Sequence, residues 1–194
     1  GWVEQADAFG RYLVGKTPDE VKKLSTDDHG KPTDADLLSA CTIAVDGYRD
    51  AVVRACESAE TLGAARGDRA VLGAAVRSDT KDLAADDDHD VTAQVDLTVT
   101  ALTLDADGRV TSALADMAEP ALTVGADGTV SAPEMVKTKR ELGDSYGMRG
   151  ASSLNKEWYE HSEGWCGYLK GKTRAEVAGI PSDGTDADLA ALCT

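Results

Sequence analysis

The residues best suited to chemistry sit in "DLLSACT", Asp36 to Thr42. The stretch offers a carboxylate, Asp36, two hydroxyls, Ser39 and Thr42, and the thiol of Cys41, set among small side chains. Small side chains let backbone N–H groups approach an anion. The apolar periodicity that starts just downstream predicts a helix, whose N-terminal dipole and free N–H donors favour a phosphate. A hydroxyl there can contact the phosphate or be esterified by it. The competing reading is mechanical: "ACT" as a tight junction between two helices, with Cys41 buried. A related stretch, "DLAALCT", runs from Asp188 to Thr194, with Ala191 in place of the hydroxyl and Leu192 in place of Ala40.

Other candidates are weaker. "GKT" at 15–17 and 171–173 shares letters with a phosphate loop but lacks the upstream Gly and the preceding strand. "DADG" at 105–108 lacks the further ligands of a calcium loop and predicts a hairpin turn. The four cysteines (Cys41, Cys56, Cys166, Cys193) form no CxxC, and His29, His89 and His161 make no metal spacing with them. Buried small hydrophobes, or one or two disulfides in a secreted protein, both fit. No nucleophile–base pair or carboxylate dyad stands out, so a stand-alone enzyme is not expected.

These groups must be positioned by a chain of 194 residues with formal net charge -15. Such acidity leaves no basic patch for nucleic acid and disfavours an anionic membrane surface. No apolar run reaches the ~20 residues of a membrane span. With one Phe, three Trp and five Tyr, the core must come largely from Val, Leu and Ala. The chain opens on Gly and shows no signal peptide, and is read as a segment of a longer protein.

An internal repeat organises it. "WVEQADAFGRYLVGKTPDEV" (2–21) matches "WYEHSEGWCGYLKGKTRAEV" (158–177), and "TDADLLSACT" matches "TDADLAALCT". Trp2, Ala6, Phe9 and Leu13 fall at helical spacing, as do Trp158, Trp165 and Leu169. Gly15 and Gly171 stop those helices, and "TPDE" and "TRAE" are capping boxes that start the next. Asp46 is expected to cap a helix running to about Ser58, with Val45, Tyr48, Val52, Val53 and Cys56 as its apolar face. Between the copies, alternating Val, Thr and Leu predict an antiparallel meander at about 91–104, 109–116 and 121–124. A short strand follows Gly128, and an earlier one lies at about 70–77. "TKDLAADDDHD" (80–90) reads as a polar loop, and 137–148 as a connection pinned by Tyr146 and Met148. The expected fold is α+β, a meander with helices on one face, divided into a helical part (1–60) and a sheet-plus-helix part (63–194).

"DLLSACTIAVDGYRDAVVRA" resembles the end of FMN-binding domains of bacterial surface flavoproteins. Their pattern is Asp, two residues, Ser or Thr, Gly, Ala, Ser or Thr, then a helix rich in Ala and Val. Asp36, Ser39 and Thr42 fall on the matching positions, while Ala40 stands where the family has Gly and Cys41 where it has Ala. "DLTVTALTLDADGRVTSALADMAEP" resembles the family's sheet, and the segments from "TKRELGDSYGM" through "GKTRAEV" resemble surface lipoproteins of anaerobic Gram-positive bacteria. The resemblance implies FMN as cofactor, held at Asp36, Ser39, Cys41 and Thr42, with Thr42 carrying it through a phosphoester bond installed by a flavin transferase. It implies electron transfer to a redox partner from a lipid-anchored, extracellular location. The alternative is a degenerate copy without flavin, serving as a structural or adhesion module. If Ala40 must adopt positive φ, it costs about 1 kcal/mol.

The second copy stops at Thr194, where the first continues into the 46–58 helix. The expectation is that 42–60 covers the 91–130 sheet, through Val95, Leu97, Val99 and Leu102 or their opposite-face neighbours. It would do so within one chain or in a swapped dimer.

Overall fold

The computed structural model describes residues 1–81, 89–133 and 136–193. Most of the expected polar loop (82–88) and Thr194 lie outside the described residues. The chain divides into two compact units, Gly1–Thr61 and Leu62–Thr194.

The first unit is helical: α1 (Trp2–Leu13), α2 (Pro18–Lys22), α3 (Ala35–Leu38) and α4 (Asp46–Glu57). Gly15, at φ +83, lets the chain leave α1 through a left-handed turn closed to an L side chain without strain. Thr17 and Glu20 then cap α2 reciprocally. Asp34 caps α3, accepting from the N–H groups of Asp36 and Leu37. Phe9, Leu24, Leu37, Cys41 and Val45 form the core.

Two expectations about α4 are corrected here. Its N-cap is Val45, not Asp46, because the Val45 N–H is tied by a 2.7 Å bond to the Gly30 carbonyl. Its apolar face serves its own unit. Val45 is enclosed by Phe9, Leu24, Leu37 and Cys41, and Tyr48 sets its ring against Trp2 and Phe9. Cys56 is exposed.

The second unit carries the α+β fold. Strands β1 (Arg69–Lys81), β2 (Val91–Leu104), β3 (Val110–Ala118), β4 (Ala121–Val124) and β5 (Val130–Ser131) form one antiparallel sheet. β2 is central. β1 pairs along its length on one side, and β3 and then β4 pair on the other, joined across Glu119–Pro120. β1 runs to Lys81, beyond the expected 77, because β2 supplies a partner as far as Thr92. "DADG" is the β2–β3 turn. Asp105 accepts from the N–H groups of Asp107 and Arg109, and Gly108 sits at φ +75. No group that could hold a metal occurs among the described residues.

One sheet face is covered. Val110, Ala113 and Ala115, with Leu102 and Leu104, pack against Cys166 and Leu169 of α6 (Trp158–Leu169). The other face keeps Leu72 and Val76 at 70% and 66% exposure. The 137–148 segment is more than a loop. It holds α5 (Lys139–Leu142), capped by Thr138 and Glu141, and a 3-10 turn at Gly143–Tyr146. Buried Lys139 pairs with Glu119 at 2.6 Å and lies over the rings of Tyr146 and Trp158.

After α6 come α7 (Arg174–Ala178) and α8 (Ala187–Ala190), the same order and lengths as α1, α2 and α3. The two segments differ at one matched pair. Gly164 leaves no room for a Cβ, because the Leu192 carbonyl would lie 2.7 Å from it; the matched pair in the first unit is Ala8 and Ala40. The backbone at Leu192 thus closes in on α6 where residue 164 has no side chain.

In both segments a tyrosine faces the aspartate that caps the last short helix, Tyr12 with Asp34 and Tyr168 with Asp186. The bond to the Asp186 carboxylate pushes the Tyr168 phenol up to about 12 and holds Asp186 below its usual range. The raised tyrosine value means this bond contributes fully below pH ~10 and is lost as pH rises through about 12. The lowered aspartate value means the contribution is also lost as pH falls below ~4. An ultraviolet tyrosinate titration should show one phenol ionising near 12 that returns toward ~10 in Asp186→Asn; a titration unchanged by that substitution would contradict the pairing.

Candidate functional site

The motif folds around the end of α3. Asp36 lies in its first turn, exposed, its N–H donating to Asp34 Oδ1 at 3.1 Å. Ser39 is the C-cap, and its hydroxyl donates to the Asp36 carbonyl at 2.8 Å, so it is turned onto its own helix. The N–H groups of Ala40 and Cys41 both bond the Leu37 carbonyl. Among the described residues Asn155 is the one non-glycine with positive φ. Ala40 therefore carries none of the strain expected if its position required a glycine conformation. The Cys41 side chain is fully buried in the core, which is what a small apolar plug does. Cys193, its counterpart, is half-buried, and all four cysteines are free thiols.

Thr42 is different. It is exposed, and one acceptor holds it twice: Gln5 Oε1 receives the Thr42 N–H at 2.7 Å and its hydroxyl at 3.0 Å. Gln5 comes from α1, 37 residues away in sequence. With its proton committed to Gln5, the Thr42 oxygen keeps its lone pairs for another partner. The structure thus brings Asp36, Ser39 and Thr42 onto one exposed turn and leaves Cys41 behind it. The sequence reading missed Gln5. The signal available was its match to His161, another hydrogen-bonding side chain at the same place in the repeat.

His161 is 7% exposed. Its Nε2 lies 2.8 Å from Ser152 Oγ, and its Nδ1 has no partner among the described residues. Burial lowers its pKa.

α4 begins four residues after Thr42, and its first turn contains Gly47. The small residues Ala40, Ala44 and Gly47 flank the exposed Thr42 in sequence. A depression of about 160 Å³ in this unit lies elsewhere, lined by Tyr12, Lys16, Glu20, Lys23, Leu24, Ser25 and Asp34. It is smaller than the ~300 Å³ at which small-molecule sites usually begin. "GKT" is a helix stop followed by a cap in both copies, with Thr17 and Thr173 as the capping residues.

These features define an α+β chain with an exposed, oriented threonine on a small-residue turn. No family model matches the chain, and no solved structure matches it. Over 41 residues, 21% of this chain, it is 49% identical to a chlorophenol reductase of Desulfitobacterium hafniense, and the match covers 12% of that protein. No helix among the described residues is long and apolar enough to cross a membrane.

Proposed function

We propose that this chain is a flavin-carrying module of a larger redox protein, with FMN attached through a phosphoester at Thr42 by a separate flavin transferase. The observation that carries the reading is the double hold of Gln5 on Thr42. It fixes a surface hydroxyl in the motif position that the FMN-binding family esterifies. The 41-residue likeness to a protein named as a reductase supports a redox setting. Bound FMN would supply one- and two-electron chemistry. The residues of this chain would hold and orient it. Esterification breaks the phosphoanhydride of a flavin dinucleotide donor brought by the transferase, with the nucleoside monophosphate leaving; Thr42 exchanges its Oγ1–H bond for an Oγ1–P bond and releases the proton, which ends the hydroxyl's bond to Gln5, while the Thr42 N–H keeps its own. Asp36 and the acidic surface disfavour a free phosphate, so a covalent tether suits this site better than reversible binding. The module is non-catalytic by itself, passes electrons to a redox partner, and belongs to an extracellular, lipid-anchored protein.

The test is the visible spectrum after co-expression with a flavin transferase. A flavin band that stays with the polypeptide through denaturation and desalting is expected; a colourless chain would contradict the reading. A second reading, a structural or adhesion module, is favoured by the inward turn of Ser39 and the burial of Cys41, and predicts the colourless chain.

A further inference from the structure

The two matched segments differ in what covers them. In the second unit, α6 and the Gly171–Thr173 turn hold the edge strand β3. Ser162 donates to the Ala115 carbonyl at 2.8 Å, and Cys166 and Leu169 pack on Val110, Ala113 and Ala115. The turn adds a short ladder: Gly171 N–H to the Val110 carbonyl at 2.8 Å, and Val110 N–H to the Lys172 carbonyl at 3.0 Å. Arg109 completes it, donating to the Gly171 carbonyl at 2.8 Å with Glu176 at 3.6 Å.

In the first unit the matched positions are Ala6, Gly10, Leu13, Gly15, Lys16 and Glu20. The backbone is set in the same way, with φ +83 at Gly15 against +79 at Gly171 and the same capping box after it. Yet among the described residues no strand pairs with it. Among the described residues neither the Gly15 N–H nor the Lys16 carbonyl has a hydrogen-bond partner. Nothing lies within 4 Å of where a Gly10 Cβ would stand, and Val3 and Val14 are 62% and 82% exposed. Glu20 presents its carboxylate where Glu176 meets Arg109.

We infer that α1 and the Gly15–Lys16 turn form a docking surface for the edge strand of an antiparallel sheet supplied by another copy of this repeat. That strand would be of the Arg109–Ala115 type. The helix face accepts its small side chains, the open N–H and carbonyl pair with its backbone, and Glu20 with the Gly15 carbonyl takes the arginine that opens it. The sheet of this chain has the equivalent face covered by α6, so the occupant is a further sheet.

The test extends the full chain at its N-terminus with a duplicate of its own residues 62–133 and follows amide exchange at Gly15. Docking slows that amide by at least about tenfold relative to the unextended chain. Gly10→Arg, placed where Cys166 meets the sheet, should restore fast exchange while the ring contact of Phe9 with Tyr48 persists. Unchanged exchange in the extended chain overturns the inference, as does protection that survives Gly10→Arg. Concentration-dependent protection in the unextended chain would overturn the choice of occupant in favour of a second copy of the whole chain.

Discussion

Thr42→Ala is expected to abolish flavin loading outright, and Thr42→Ser to retain it. The ester needs an oxygen on Cβ, and Ala has none, so the loss is complete. Ser keeps the oxygen and the bond to Gln5 but not the β-methyl that restricts its rotamer. Gln5→Leu separates position from chemistry, because it removes the shared acceptor and leaves the nucleophile in place. Loading should slow by about 10–100-fold, in line with the cost of a misplaced reacting group. The Thr42 amide, which now donates to Gln5, should exchange faster in the same variant. Flavin incorporated at wild-type level in Thr42→Ala would remove Thr42 from the account. Slowed loading in Gln5→Leu with an unchanged Thr42 amide would remove the positioning role.

The largest stability effect should come from Glu157. It is 2% exposed and opens α6. Its carboxylate accepts from the N–H groups of Met148 at 2.9 Å and Arg149 at 3.0 Å, and its own N–H is taken by Glu160 at 2.8 Å. Glu157→Ala removes the cap and leaves two partly buried N–H groups without an acceptor. The expected cost is about 2–4 kcal/mol. Glu157→Gln keeps one carbonyl oxygen and should cost less. Urea unfolding in a Trp2→Phe background, where Trp158 and Trp165 report on the second unit, should show a midpoint lowered by roughly 1–2 M for the Ala variant. A midpoint within error of the parent would contradict the role of Glu157 as the pin of the 147–149 loop.

What the sequence made legible is local. The Trp-led periodicity marked α1 and α6, the Thr-x-x-Glu signatures marked α2 and α7, and the "DADG" turn marked the β2–β3 hairpin. Each depends on residues within one or two turns of each other, so pattern and outcome agree. What was not legible depends on distant partners. Asp46 reads as a better cap than Val45, but the Gly30 carbonyl decides where α4 starts. Cys56 continues an apolar stripe, but the unit's core is already closed by Phe9, Leu24, Leu37, Cys41 and Val45. β1 outruns its apolar pattern because β2 offers it backbone partners. At the candidate site the hydroxyls of Ser39 and Thr42 could be read from the motif. Their opposite orientations could not, since Ser39 folds onto its own helix and Thr42 is held by a glutamine from another.

A covalent flavin at Thr42 is tested by peptide mapping of the chain after co-expression with a flavin transferase. Trypsin should release the segment from Leu24 to Arg49, since Lys31 precedes proline. This peptide should carry the mass of FMN less one water, with fragmentation placing it on Thr42 and not on Ser39. The same peptide recovered unmodified, beside an established flavoprotein substrate that the transferase has loaded, would contradict it.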